Sequence, residues 1–112
     1  MLNAECDEQI TYEEKTMRIN IVALMSVREM LGWSNKIVQV ARGTFVDLLR
    51  EVTSENGKTL YDLFIQEDGT IGPEYMILVN RRRIMAEHSL EIPLQSGDRV
   101  IAMPAIRFAR GG

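Results

Sequence analysis

One cysteine, one histidine and three prolines in 112 residues narrow the possibilities before any pattern is sought. A single thiol, Cys6, excludes an internal disulfide, a cysteine-rich zinc site and a four-cysteine iron–sulfur cluster. That usage fits a reducing compartment. A single imidazole, His88, excludes a multi-histidine metal centre. Cys6 and His88 form the one available thiol–imidazole pairing, and Cys6 lies in a stretch with no periodicity, so no nucleophile–base dyad is expected. Gly69 and Gly72 lack the lysine that completes a phosphate-binding loop. No apolar run approaches the roughly 18 residues of a membrane span. The opening stretch has no basic-then-apolar leader layout. These absences point to a cytoplasmic protein that binds no metal and contacts no membrane.

What is present is ordinary for a globular chain: 46% hydrophobic and 26% charged residues, enough for one domain with a real core. The net charge of −3 is unevenly placed. Residues 1–16 hold Glu5, Asp7, Glu8, Glu13 and Glu14 against Lys15, a net of −4, which leaves +1 for the rest. That balance is not a nucleic-acid surface. The conspicuous cluster is Arg81-Arg82-Arg83, read either as a solvated hairpin turn or as a docking patch for an acidic partner.

Residues 1–16 are expected to be a mobile acidic extension, with the domain proper at 17–104. MRINIVALM (17–25) reads as a strand, and SVREMLGW as a short helix with a Ser26/Glu29 capping box and Gly32 beyond its end. KIVQV (36–40) is a second strand. GTFVDLLREVTSENG (43–57) is the clearest helix: Phe45, Leu48, Leu49 and Val52 share one face, Thr44 and Asp47 cap it, and Asn56-Gly57 end it. TLYDLFIQ (59–66) predicts another short helix, followed by turns at Asp68-Gly69 and Gly72-Pro73. EYMILVN (74–80) is a buried strand, RIMA a short return strand, and Arg99 to Met103 a last strand after the turn at Ser96-Gly97-Asp98. Pro104 closes it. Trp33 reads as a half-buried anchor, and the seven methionines as core and start residues. The order β-β-α-(short α)-β-β-β, with one main helix crossing a small mixed sheet, is an α+β architecture. No element is left for residues 105–112, which read as a flexible tail ending in Arg110-Gly111-Gly112.

Four segments together, ALMSVREMLG, GTFVDLL, QEDGTIGPEYMILVNRRRI and LQSGDRVIAMP, followed by the final Gly-Gly, resemble the ubiquitin-like β-grasp sulfur carriers of the MoaD/ThiS family. That family includes the small subunit of molybdopterin synthase, and the resemblance covers all but the first sixteen residues. Many members have Asn-Gly where this chain has Asn80-Arg81, and a shorter tail than AIRFARGG. The resemblance implies a β-grasp domain whose Gly112 carboxylate is adenylated with ATP by a ubiquitin-activating-type partner enzyme. A sulfur donor then converts the adenylate to a thiocarboxylate, for transfer in cofactor biosynthesis of the molybdopterin type. It also implies a larger synthase subunit as a possible recipient. No cofactor is expected to be bound by the chain itself, and any enzyme activity would be that of a synthase complex.

The residue types suit such a tail. A terminal carboxyl with a pKa near 3.3–3.7 is ionised at neutral pH. Gly111 and Gly112 have no Cβ and fit a narrow channel. Eight residues past Pro104 span at most about 26–29 Å. Ile106 and Phe108 alternate with Arg107 and Ala109, so Phe108 suits a partner's pocket and Arg110 a carboxylate near the nucleotide. The same residues also allow Ile106 and Phe108 to fold back on the domain. Two other functions remain open: a protein modifier joined through Gly112 to lysines, and a plain β-grasp interaction module. The uncovered side of the sheet, with Met103, Pro104 and the first strand, is the expected docking face for the adenylating enzyme.

Overall fold

The computed structural model describes residues 15–85 and 90–105. The expected acidic extension, apart from Lys15 and Thr16, and the tail from Ile106 onward lie outside the described residues, as do Cys6 and His88. The elements run β1 (Thr16–Ala23), α1 (Met25–Leu31), β2 (Asn35–Ala41), α2 (Phe45–Glu51), α3 (Leu60–Phe64), β3 (Tyr75–Val79), β4 (Arg82–Arg83) and β5 (Arg99–Pro104). The five strands form one mixed sheet in the order β2-β1-β5-β3-β4. Only the β1–β5 pair is parallel; β1–β2, β3–β5 and β3–β4 are antiparallel. The α+β expectation holds.

β1 alternates with period two, and its inward residues Met17, Ile19, Ile21 and Ala23 are all buried. Their partners across the sheet extend the same layer: Met17 faces Val40, Ile21 faces Val100 and then Val79, and Ala23 faces Ala102 and then Ile77. Against this layer lie Val27 and Leu31 of α1, Phe45, Leu48 and Leu49 of α2, and Leu60 and Phe64 of α3. Trp33 packs half-buried at the edge of this core, under Lys36 Nζ at 4.8 Å from the ring.

The start of α2 shows why the sequence signal there was strong. Thr44 Oγ1 accepts from the Asp47 N–H at 3.3 Å, and Asp47 Oδ2 accepts from the Thr44 N–H at 3.0 Å. The Phe45 and Val46 N–H groups donate to the carbonyls of Ile92 and Leu90 at 2.8 and 3.1 Å. All four donors that a helix start leaves unpaired are thereby satisfied.

Four local expectations are corrected. α1 begins at Met25 with Leu24 as its cap and no side-chain cap bond, so the Ser26/Glu29 box does not form. The chain turns from strand to helix within one residue, which puts Met25 at φ 56°. α2 stops at Glu51 instead of reaching Asn56-Gly57. Past Val52 the N–H groups find partners outside the helix: Ser54 donates to Lys58 and Glu55 to Leu31, each at 2.8 Å. The return strand is two residues, Arg82–Arg83, rather than the four of RIMA. β1 also begins at Thr16, one residue before Met17.

Candidate functional site: the open sheet face and the exit of the tail

The helices cover one face of the sheet, and strand register fixes what lies on the other. One row across that open face reads Asn35, Val22, Ile101, Leu78 and Arg83. The next row toward the start of β5 is Ile37, Asn20 and Arg99. On the opposite side Met103 pairs with Met76. Ile101, Leu78, Met103 and Met76 are half-buried, and Ile37 is 66% exposed. The open face is thus apolar toward the Pro104 end and basic toward the Arg99 end. At the basic end a groove of about 320 Å³ is lined by Asn80, Arg81, Arg99 and Ile101.

The exit of the tail is held from two sides. Pro104, the one predicted tail-site residue among those described, is the last residue of β5, half-buried and paired with Tyr75. The Ala105 N–H then donates to the Glu74 carbonyl at 2.8 Å. Tyr75 is fixed by an edge-on contact with Phe64 (centroids 4.9 Å apart) and by its hydroxyl donating to Met30 Sδ at 3.4 Å. Burial, with Glu74 as a lesser cause, pushes the Tyr75 phenol pKa up, so it stays neutral and a donor. Ile106, Arg107, Phe108, Arg110, Gly111 and Gly112 lie outside the described residues.

The arginine cluster is divided by the pleat. Arg83 pairs with Leu78 and shares the open face, whereas Arg82 pairs with Val79 and lines a cavity of about 780 Å³ with Ile84, Ile92 and Pro93. Arg81 sits in the turn at φ 74°, after Asn80 at φ 52°. Asn80 ties this turn to β5: its Oδ1 accepts from the Arg99 N–H at 2.9 Å and its Nδ2 donates to Asp98 Oδ1 at 2.8 Å. Among the described residues no three histidine, cysteine, aspartate or glutamate side chains are grouped to hold a metal ion, and no helix is long and apolar enough to cross a membrane.

Sequence reasoning named Met103, Pro104 and the first strand, to which Val22 belongs, for the open face and missed Leu78, Ile101 and Met76. Those residues sit in unbroken apolar runs, EYMILV and VIAM, where period-two sorting is invisible until the strand pairing is known.

No protein-family model matches the sequence, and no curated protein matches it. Solved structures do match its fold. The HVO 2177 protein of Haloferax volcanii superposes with a TM-score of 0.66 at 25% identity, over 83% of this chain and 87% of that one. Small archaeal modifier protein 1 of the same organism gives 0.61 at 18% identity, over 80% of this chain and 99% of that one. This chain has the ubiquitin-like β-grasp fold. A candidate molybdopterin converting factor subunit 1 from Pyrococcus furiosus shares it, with a TM-score of 0.58 at 19% identity over 80% of this chain and 99% of that one. In this β-grasp domain the last strand is central, and it delivers Pro104 to the edge of the apolar half of the open face.

Proposed function

We propose that this β-grasp protein is a sulfur carrier working through the carboxylate of Gly112. The observation that carries the reading is the sequence Arg110-Gly111-Gly112, eight residues past the strand that ends at Pro104, on a domain with an open apolar face. The likeness to a candidate molybdopterin converting factor supports the molybdopterin-type pathway. In this reading an adenylating enzyme of the ubiquitin-activating type docks on the open face, with Phe108 and Ile106 seated in its channel and Arg107 and Arg110 paired with acidic groups there. A Gly112 carboxylate oxygen attacks the α-phosphorus of ATP and pyrophosphate leaves. A sulfur nucleophile from the donor attacks the acyl carbon and AMP leaves. When that nucleophile is a persulfide, a thiol must reduce its S–S bond to free the thiocarboxylate.

The likeness to small archaeal modifier proteins favours a second reading, in which the activated Gly112 acyl group is joined to lysine amines of target proteins. Both readings start from the same adenylate. Intact-mass analysis of the protein from its own cells separates them. Replacement of one oxygen by sulfur at Gly112 establishes the carrier. Gly112 found in amide linkage to lysines of larger proteins establishes the modifier. Neither product would overturn both.

A further inference from the structure

The pleat that divides the arginine triplet also gathers arginines that are distant in sequence. Arg99 of β5 lies beside Asn20 on the open face, Arg18 of β1 shares that face two residues before Asn20, and Arg83 of β4 shares it two strands beyond β5. Arg81, in the β3–β4 turn, borders the groove of about 320 Å³ with Arg99 and Ile101. Asn80 holds that turn against β5 by accepting from the Arg99 N–H at 2.9 Å. All four arginines are exposed. None of their guanidinium groups has a carboxylate partner among the described residues. Asp98, next to Arg99 in the chain, is taken up by neutral donors, Asn80 Nδ2 and the Gln95 N–H, each at 2.8 Å. Four like charges at one end of one face repel one another, and an anionic partner of matching spacing relieves that repulsion. Beside them on the same face are the half-buried Ile101 and Leu78.

We propose that this basic end binds an extended acidic peptide segment of a partner protein. Its carboxylates pair with Arg18, Arg81, Arg83 and Arg99, and an apolar side chain among them rests on Ile101 and Leu78. From β1 to β4 there are three strand spacings, about 14 Å, which about five extended residues cover at roughly 3.3 Å each. Every second side chain of such a peptide points to one face, so acidic and apolar residues two apart reach both the arginines and the apolar pair. A nucleic-acid strand fits less well. None of the strand residues on the open face is aromatic, so bases have no ring to stack on, and the net charge of −3 opposes a long polyanion. Each exposed pair is weak alone, and the complementary charge acts mostly through the association rate and the register of the bound segment. This inference does not rest on the carrier reading, and its test involves no adenylating enzyme.

The probe is a blocked synthetic peptide of glutamates with leucines interspersed, and its glutamine counterpart is the control. Added to the full chain at low salt, the glutamate peptide should shift the amide signals of residues 18–20, 80–83 and 99–101. It should leave those of α1, α2 and α3 in place. Raising the salt to ~1 M, where the screening length falls to about 3 Å, should abolish the shifts. The variant carrying Arg81→Gln, Arg83→Gln and Arg99→Gln should keep a dispersed amide spectrum and bind the peptide about tenfold more weakly. The shift map of the unaltered chain decides the matter even if that variant fails to fold. No shift with the glutamate peptide, equal shifts with the glutamine peptide, or shifts confined to the helices overturns the proposal. Oligothymidylate bound at the same residues more tightly than the glutamate peptide overturns it in favour of a nucleic-acid surface.

Discussion

Arg81 occupies a left-handed backbone position, φ 74°, as the second residue of a two-residue hairpin loop whose first residue, Asn80, is also left-handed. Such loops favour Asn-Gly, because a Cβ at the second position crowds the backbone. Arg81→Gly should therefore raise the unfolding free energy by about 0.5–1 kcal/mol, the relief of strain outweighing the added freedom of the unfolded chain. Urea denaturation reads this directly, and a lower midpoint would show that the Arg81 side chain holds the turn in some other way. Asp47 is the other residue where local chemistry sets a measurable quantity. The Thr44 backbone N–H, and then its hydroxyl, hold the Asp47 carboxyl below the ordinary carboxylate value. A depressed folded pKa contributes stability that is fully present above the unfolded value, about 3.9, and is lost as pH falls through the folded one. The stability difference between the protein and its Asp47→Asn variant should accordingly be present at neutral pH and shrink as acid takes the solution below about pH 4. A difference that stays constant with pH would remove the charge from the explanation.

At the scale of elements, two capping patterns looked alike in the sequence and only one formed. Thr44 with Asp47 caps α2 because Ile92 and Leu90 offer carbonyls that hold the first turn in place. Ser26 with Glu29 does not cap α1, because Leu24 is still bonded to β5 through the Ala102 carbonyl at 3.0 Å and the helix must start at Met25. Thr44→Ala should cost about 1 kcal/mol, and Ser26→Ala less than about 0.5 kcal/mol; equal costs in a denaturant titration would contradict this account of the two helix starts. The end of α2 was equally hidden. Val52 is apolar at helical spacing, and it is buried, yet its backbone is extended (φ −96°, ψ 136°) and its carbonyl accepts from the Leu60 N–H at 2.9 Å. Periodicity reports which side chains are buried; it does not report where a long-range backbone bond takes over. Strand existence, the α2 start and the turns at Gly32, Gly69 and Gly97 were legible because each rests on local sterics or a local bond. The length of α2 and the start of α1 were not, since distant residues decide them.

For the whole molecule, the parallel pairing of β1 with β5 gives the sheet two unlike ends. One carries the arginines and the entry of the chain; the other carries Met76, Met103 and the exit at Pro104. The last strand and its end at Pro104 were legible, and most of the apolar half of the open face was not, because its residues lie in runs that register alone divides between two faces. This division makes docking and chemistry separable in the proposed function. Ile101 is half-buried at the centre of the open row, between Val22 and Leu78, and supports none of the helices on the other face. Ile101→Glu puts a charge where a partner's apolar surface would sit. It should weaken binding to the adenylating enzyme at least tenfold, about 1.4 kcal/mol, and leave adenylation at saturating enzyme near the level of the unaltered chain. One residue added after Gly112 should do the reverse, abolishing adenylation because the α-carboxylate is displaced while binding through the face persists. Calorimetric affinity and ATP–pyrophosphate exchange measure the two quantities independently. Should Ile101→Glu bind as tightly as the unaltered chain, the open face is not the docking surface, and the tail alone would have to account for recognition.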